Sequence, residues 1–426
     1  MLLSLGMQIA AQQRAAIFTP PPGMPEGASY HSDFVNGQHW LINRRYPEPM
    51  ITGRQSIRSG AYPATRPDGV LLPFAPNVPR IVPGQGMRVL GGAIRVSQHP
   101  QTQTDWSNSN ATITTLEADA SGFVWRRIAS TGALGHRQLL IFSDIRNAGE
   151  TVWCRVRYRA STDTPSGRVR VEFRNITAST SSVIAGDLTA PVGTFSAAGT
   201  INNLVISDFG GGLYEASFAV TLAANGTSFN IGLGPDSVTA GQSVEFGGAQ
   251  VTTAFADWIT ASPETTATVG ASEYALTDLA ALGLTPAVLA AGFTVVVGYI
   301  QPFSGFEATI FELTNNTNNE VYRLRRLAGG NNQLVVRTGG VAQVDSGVGT
   351  AVSGVNRQAI RFAVDDVGWS LNGASPGSDS SVALPSPDRL VVGSSLFGIP
   401  LNSSIRAITI IPTPVDNATL QALSGS

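Results

Sequence analysis

The chain alternates apolar and polar residues over long stretches. Val152 to Ala160 reads as apolar positions interleaved with Arg155, Arg157 and Arg159. Arg168-Val169-Arg170-Val171-Glu172-Phe173-Arg174 repeats the pattern with Val169, Val171 and Phe173 on one face. A period of two is the signature of a strand with one face buried. Tyr214–Leu222, Ser228–Leu233 and Ser243–Val251 continue it, so residues 105–258 read as one antiparallel sandwich. Thr162-Asp163-Thr164-Pro165-Ser166-Gly167 lies between the first two runs and reads as a hairpin loop. That hairpin sets the rows Arg155/Arg157/Arg159 and Arg168/Arg170/Arg174 opposite each other. Facing like charges are unfavourable, so they must meet acids elsewhere or a partner.

A second strand series fills 259–426, after a Ser/Thr/Pro-rich linker at Ala261–Thr268. Its candidate strands are Phe293–Ile300, Thr309–Leu313, Val321–Arg326, Gln333–Arg337, Gln358–Val364, Gly368–Leu371, Arg389–Val392 and Arg406–Ile411, at jelly-roll spacing. Asp416–Leu423 reads as a closing helix capped by Asp416 or Asn417.

The N-terminal quarter lacks such periodicity. Residues 1–19 suit a short helix with Leu2, Leu5, Ile9 and Ala16 on one side, ended by Thr19-Pro20-Pro21-Pro22-Gly23. Residues 30–104 are rich in Pro, Arg and Gly. Such a segment buries too little apolar surface alone and is expected to lie along another surface. The predicted fold is therefore all-β: an extended N-terminal arm over 1–104, then two antiparallel β-sandwich (jelly-roll) domains over 105–258 and 259–426.

Composition supports that class. Charged residues are 13% of the 426, while Gly (46) and Pro (25) are plentiful, which suits short strands and tight turns. Net charge is −2, so nothing global points to nucleic acid or an anionic membrane. Every basic residue is Arg, and 19 of the 27 lie in 1–174, whereas 175–322 hold none against 12 acids. That asymmetry suits docking of one copy on another, and equally suits loops that merely differ in charge. The single cysteine, Cys154, shares a face with Val152 and Val156 and is expected to be a buried, inert thiol. No run of about 20 apolar residues marks a spanning helix. The start, Met1-Leu2-Leu3-Ser4-Leu5, lacks the basic region of a signal peptide.

Two stretches resemble recurrent modules of phage tail and spike proteins. From Gly69 to Phe255 the order is Gly69-Val70-Leu71, Ala75-Pro76-Asn77-Val78-Pro79-Arg80, Asp105-Trp106-Ser107 and Gly248-Ala249-Gln250. It is similar to a carbohydrate-binding-module-like sandwich of phage structural proteins, and Asp33-Phe34-Val35-Asn36-Gly37 fits its start. The connector departs from that pattern at Gly91-Gly92-Ala93-Ile94-Arg95-Val96. Residues 293–423 resemble the laminin-G/concanavalin-type jelly roll through Val364-Asp365-Asp366-Val367-Gly368-Trp369-Ser370-Leu371-Asn372-Gly373, Leu390-Val391-Val392-Gly393 and the closing Val415–Leu423 helix. The resemblance implies a fold and a particle setting more than a ligand.

Candidate chemistry is sparse. His31, His39, His99 and His136 show no metal spacing. No nucleophile elbow, phosphate loop or dinucleotide fingerprint occurs, and no cofactor is expected. Glycoside hydrolysis needs two carboxylates about 5–10 Å apart. Asp365-Asp366, Glu307 with Glu312, and Glu320 qualify by type only; Asp365-Asp366 reads as a turn, and Glu312 is expected to face water. Calcium needs several convergent oxygens, of which Asp365, Asp366 and Asn372 could supply some, and no metal site is assigned. Trp106, Trp125, Trp153, Trp258 and Trp369 are candidate sugar platforms, though core packing is the better explanation of each. Trp153 alternates away from Cys154 and is the candidate for an exposed glycan-binding ring.

The expectation is a virion structural protein (tail fibre, minor tail protein or head spike) that binds other virion proteins or host-surface polysaccharide without catalysis. Leu2, Leu5, Ile9, Arg44 and Arg45 would belong to its attachment arm. A homo-oligomer such as a trimer follows if the arm meets its own kind; no nucleic acid and no membrane insertion are expected. The alternatives are a glycan-active lyase or hydrolase with an appended binding module, and a bacterial surface adhesin.

Overall fold

A computed structural model describes residues 24–41, 44–46, 54–57, 64–72, 80–90, 93–95, 101–103, 106–142, 146–256, 258, 267–269, 273–301, 306–395 and 399–425. The chain divides into two compact units, one formed by residues up to 59, 76–91 and 271–426, the other by 60–75 and 92–270. Each is an antiparallel sandwich, as the alternation predicts.

In the unit that holds the C-terminus, the first sheet runs Arg44–Tyr46, Gln38–Leu41, Tyr30–Asp33, Ser403–Ile411, Phe293–Ile300, Val355–Phe362, Val367–Leu371, Gly377–Asp379. The second runs Val341–Thr350, Asn331–Thr338, Val321–Arg326, Ala308–Thr314, Arg389–Val392, Glu273–Leu276, Arg54–Ile57. Val295 lies opposite both Ile410 and Ile360 on the inner face of the first sheet. Those side chains close on Leu313, Tyr322, Leu324 and Val392 from the second.

Segments from the aperiodic quarter complete this core. Tyr30 pairs with Ile410, and Tyr30, Phe34, Met87 and Val89 are buried in it. Gly86–Val89 adds to the start of Ser403–Ile411, with Met87 opposite Ile405. Gly86 is required there: its φ is +104°, and a Cβ would sit 2.4 Å from the Ile405 carbonyl oxygen. Much of 30–104 does lie along another surface, and that surface is the chain's own. Sequence periodicity missed this because each piece is too short to alternate.

In the other unit the first sheet is Ala111–Ala118, Val124–Ser130, Ser243–Thr252, Thr151–Ala160, Leu213–Leu222, Gly199–Asp208, with Ala93–Arg95 and Ala267–Val269 attached. The second is Ser107–Ser109, His136–Phe142, Phe229–Pro235, Arg168–Asn175, Thr180–Asp187, Val192–Ser196. Thr151–Ala160 and Arg168–Asn175 belong to different sheets, so Thr162–Gly167 crosses the sandwich and is not the turn of a hairpin. Their inward residues Val152, Cys154, Val156, Val169, Val171 and Phe173 share one core. The two Arg rows are consequently on opposite outer faces and never oppose each other. Ala267 and Thr268, expected in a linker, belong to the strand Ala267–Val269, which pairs with Ala93–Arg95.

Two short helices are present among the described residues. Pro286–Ala291 starts at Thr285, whose Oγ1 accepts the Val288 N–H, with Pro at the first helical position. The C-terminal helix Asn417–Gly425 is capped by Asp416, whose carboxylate accepts the Thr419 N–H at 2.7 Å. It sets Leu420 on Val296 and Ala359, on the outer face of the first sheet. No helix among the described residues is long and apolar enough to cross a membrane.

Candidate functional site

Two cavities of the C-terminal unit lie against its first sheet. The larger, about 470 Å³, is lined by Val348–Thr350, Val352 and residues 369–377 apart from Gly373. Trp369 is its half-buried aromatic wall. The indole lies against the paired residue Gly377, where a Cβ would come within 2.5 Å of Trp369 Nε1. Around the ring are uncharged polar groups: Thr350, Asn372 and Ser375. Thr350 Oγ1 donates to Asn331 Oδ1 at 2.6 Å, which leaves its lone pairs as acceptors. No lining residue of this cavity is ionisable.

The second cavity, about 260 Å³, opens on the outer face of the first sheet, where Val296, Gly298 and Ala407 form a floor of short side chains. His31, Asp33, Asn36, Arg357, Arg406 and Thr409 supply its polar atoms. His31 Nδ1 is 2.7 Å from Thr409 Oγ1. Burial pulls the His31 pKa down to about 4; Asp33 opposes that shift and Arg357 adds to it. Burial also lowers the pKa of the Arg357 guanidinium, against the pull of Asp33. Asp33 accepts the backbone N–H groups of Val35 and Asn36 and the Asn36 side-chain amide.

The cavities lie on opposite faces of the first sheet, since Trp369 pairs with Ile360 of the inner face, and two asparagines link their walls. Asn372, in the wall of the first, donates to Asn356 Oδ1, in the wall of the second, at 3.0 Å. Asn372 Oδ1 also accepts the Arg357 N–H.

The residues singled out from sequence fall elsewhere. Trp153 is not exposed: only 6% of it reaches solvent. It does face away from Cys154, but Phe255 covers it edge-on at 5.2 Å. Alternation gives the face of a strand and does not reveal what later chain lies over it. Leu2, Leu5 and Ile9 lie outside the described residues. Arg44 and Arg45 sit in an edge strand opposite Leu41 and Trp40. Glu312, expected in water, is fully buried and ion-paired with Arg323 at 2.5 Å. Glu307 reaches Arg325, and Glu320 accepts the Gly339 and Ser386 N–H groups. Asp365 does make a turn, at φ 53°, and Asp366 pairs with Arg361. Asn372 is at the far end of the Val367–Leu371 strand, so the three oxygen donors do not converge. No cluster of three His, Cys, Asp or Glu occurs among the described residues.

Sequence reasoning weighed Trp369 only as one of several tryptophans, and missed His31, Arg357 and Arg406. They come from three strands far apart in the chain, and no local spacing links them. Ser32 and His39 also meet, Oγ to Nδ1 at 2.5 Å, but inside the core, with His39 only 3% exposed. A nucleophile–base pair there has no route to a substrate.

No protein-family model matches the chain, and no curated protein matches it. Among solved structures it is similar to the CBM40 module of the Ruminococcus gnavus IT-sialidase bound to alpha2,6 sialyllactose. That match has 17% identity and a TM-score of 0.29, and covers 33% of this chain and 87% of that one. Domain 4 of AbnA, an extracellular arabinanase of Geobacillus stearothermophilus in complex with arabinotriose, is 16% identical at TM-score 0.30, over 40% of this chain and 80% of that one. The mouse laminin alpha1 LG4-5 pair is 11% identical at TM-score 0.24, covering 72% and 94%.

Proposed function

We propose that this protein is a non-catalytic glycan-binding structural component of a phage-like particle, and that it holds host-surface polysaccharide in the Trp369 cavity. The observation that carries the reading is the pairing of a half-buried indole with uncharged hydrogen-bonding groups and no ionisable group in one cavity. The C–H face of a sugar packs on such a ring, and its hydroxyls pair with Thr350, Asn372 and Ser375.

The non-catalytic part is supported by the state of the carboxylates. Asp33 alone lines the smaller cavity, and Glu312 is committed to a buried Arg. Hydrolysis of a glycosidic bond asks for a second carboxylate facing the first. The particle setting is supported by the order of tail- and spike-like motifs along the chain.

The test is binding of purified protein to an array of bacterial surface polysaccharides. A hit that weakens at least tenfold in Trp369→Ala, and survives in Trp369→Phe, is the expected result. Shortening of the bound polysaccharide by wild-type protein, or binding indifferent to Trp369, would overturn the proposal.

A further inference from the structure

The lining of the Trp369 cavity points to one class of sugar: we infer that it takes a neutral N-acetylhexosamine, with the ring on the indole and the acetamido group against the aliphatic wall. This rests on the glycan-binding reading above and names its substrate class.

Three observations carry it. First, the wall beside the indole is aliphatic, with Val348, Val352, Leu371, Ala374 and Pro376 along it. It grades from a buried floor at Val348 and Leu371 to an exposed rim at Val352. A plain hexose carries a hydroxyl on nearly every carbon. Each hydroxyl set against that wall loses a water partner and gains none. A methyl-terminated substituent has no such cost, and its burial removes apolar surface from water.

Second, the polar groups of the cavity match an amide. Thr350 Oγ1 gives its proton to Asn331, so it offers a ligand only lone pairs. The Asn372 side chain uses one N–H on Asn356, and the other has no partner among the described residues. One acceptor and one donor complement a secondary amide, whose N–H and C=O both need partners. An acetamido group joins that N–H and C=O to a methyl group in one planar unit. The ring hydroxyls then fall to Ser375 and to water at the rim. No ionisable group lines the cavity, so a carboxylate or a free amine in its place finds no counter-charge.

Third, the walls are fixed before a ligand arrives. Gln358 Nε2 donates to the Val348 carbonyl at 3.3 Å, beneath the floor. The buried Asn356 holds Val352 by both backbone groups: Oδ1 accepts its N–H and Nδ2 donates to its carbonyl, each at 2.8 Å. The same Oδ1 accepts Asn372 Nδ2 at 3.0 Å. One side-chain amide thus positions the apolar rim and the polar rim together. A site held in this way binds without paying to order itself. Its volume of about 470 Å³ lies within the ~300–1,000 Å³ of small-ligand sites and leaves room for a substituted ring.

The test uses the full-length protein and matched oligosaccharide pairs that differ only at C2: N-acetylglucosamine against glucose, and N-acetylgalactosamine against galactose. Isothermal titration reads the affinities. In at least one pair the acetamido member is expected to bind at least tenfold more tightly, and deacetylation to the free amine should abolish that gain. Val352→Ser and Thr350→Val should each narrow the margin to threefold or less, whereas Trp369→Ala should weaken both members alike. Val352 is exposed, so the folding of its variant is not in question. A margin that survives both narrower variants overturns the placement of the acetamido group. Equal binding within every pair, or tighter binding of a glycan without acetamido groups than of every acetamido sugar, overturns the inference and leaves the glycan reading standing. No binding to any glycan sinks both.

Discussion

Trp258 Nε1 donates a 2.7 Å hydrogen bond to Oε2 of Glu215, deep in the unit formed by 60–75 and 92–270. That carboxylate also pairs with Arg155 at 2.5 Å and Arg157 at 3.2 Å. All four residues are buried, and the Arg157 guanidinium lies 4.3 Å from the centre of the Phe123 ring. Two acids thus supply counter-charge to the Arg row, Glu215 for Arg155 and Arg157 and Glu245 for Arg159 at 2.8 Å, and aromatic rings cover it.

Removing Glu215 strands two buried cations. Breaking a buried ion pair from one side costs about 3–5 kcal/mol. Glu215→Gln is expected to lower this unit's denaturation midpoint sharply, seen as early loss of buried-tryptophan fluorescence. An unchanged midpoint would show that Arg155 and Arg157 find other compensation.

Cys154 faces the core beside Val152 and Val156, and burial raises its thiol pKa. Thiolate is the reactive species, so a native sample should resist a thiol reagent for hours and react at once in denaturant. Labelling of the native protein within minutes would contradict the packing.

The alternation of Thr151–Ala160 was enough to place Cys154, and Phe293–Ile300, Val321–Arg326 and Arg389–Val392 have the bounds expected from sequence. Periodicity works there because each strand is long and one face is dry. It fails for Trp153 and Glu312, whose second face is covered as well. It also fails for Tyr30–Asp33 and Gly86–Val89, where four residues hold only two alternations. The candidate site was least legible, since His31, Arg357 and Arg406 converge through pairing across hundreds of positions.

The two buried histidines of the C-terminal unit predict an acid limit to its stability. Burial lowers His31 and His39 from 6.5 to about 4. The unfolded chain therefore takes up these protons first as pH falls. Their contribution is fully present above about pH 6.5 and is lost progressively from there down to about pH 4. For His31 the loss is on the order of 3 kcal/mol. The apparent Tm should drop across that window, and His31→Gln should flatten the slope. A Tm independent of pH between 7 and 4 would refute the assignment.

Gly377 offers a substitution that reaches the Trp369 cavity without backbone strain, because its φ is not in the left-handed region. A methyl group there meets the indole at 2.5–2.9 Å, so the ring must shift. Gly377→Ala should reduce glycan affinity as Trp369→Ala does, with an overpacking cost of about 1–3 kcal/mol. Wild-type affinity in this variant would mean that ring position is irrelevant to binding.

The proposed attachment role of the N-terminal quarter is tested by a truncation that spares the sandwich. Deleting 1–68 removes Tyr30–Asp33, Gln38–Leu41, Arg44–Tyr46 and Arg54–Ile57 from the two sheets of the C-terminal unit. Tyr30, Phe34 and Trp40 are each at most 2% exposed, and burying a side chain of that size contributes about 1.5–3 kcal/mol. Such a truncation is expected to lose the unit's thermal transition, so its absence from particles would say nothing about attachment. Deleting 1–23 leaves every described strand in place. This shorter deletion should keep both thermal transitions and glycan binding while incorporation into particles falls, because Leu2, Leu5 and Ile9 are the apolar residues offered for docking. Particle titration with wild-type and truncated protein in competition is the measurement. Equal incorporation of the two would remove the attachment function from this segment.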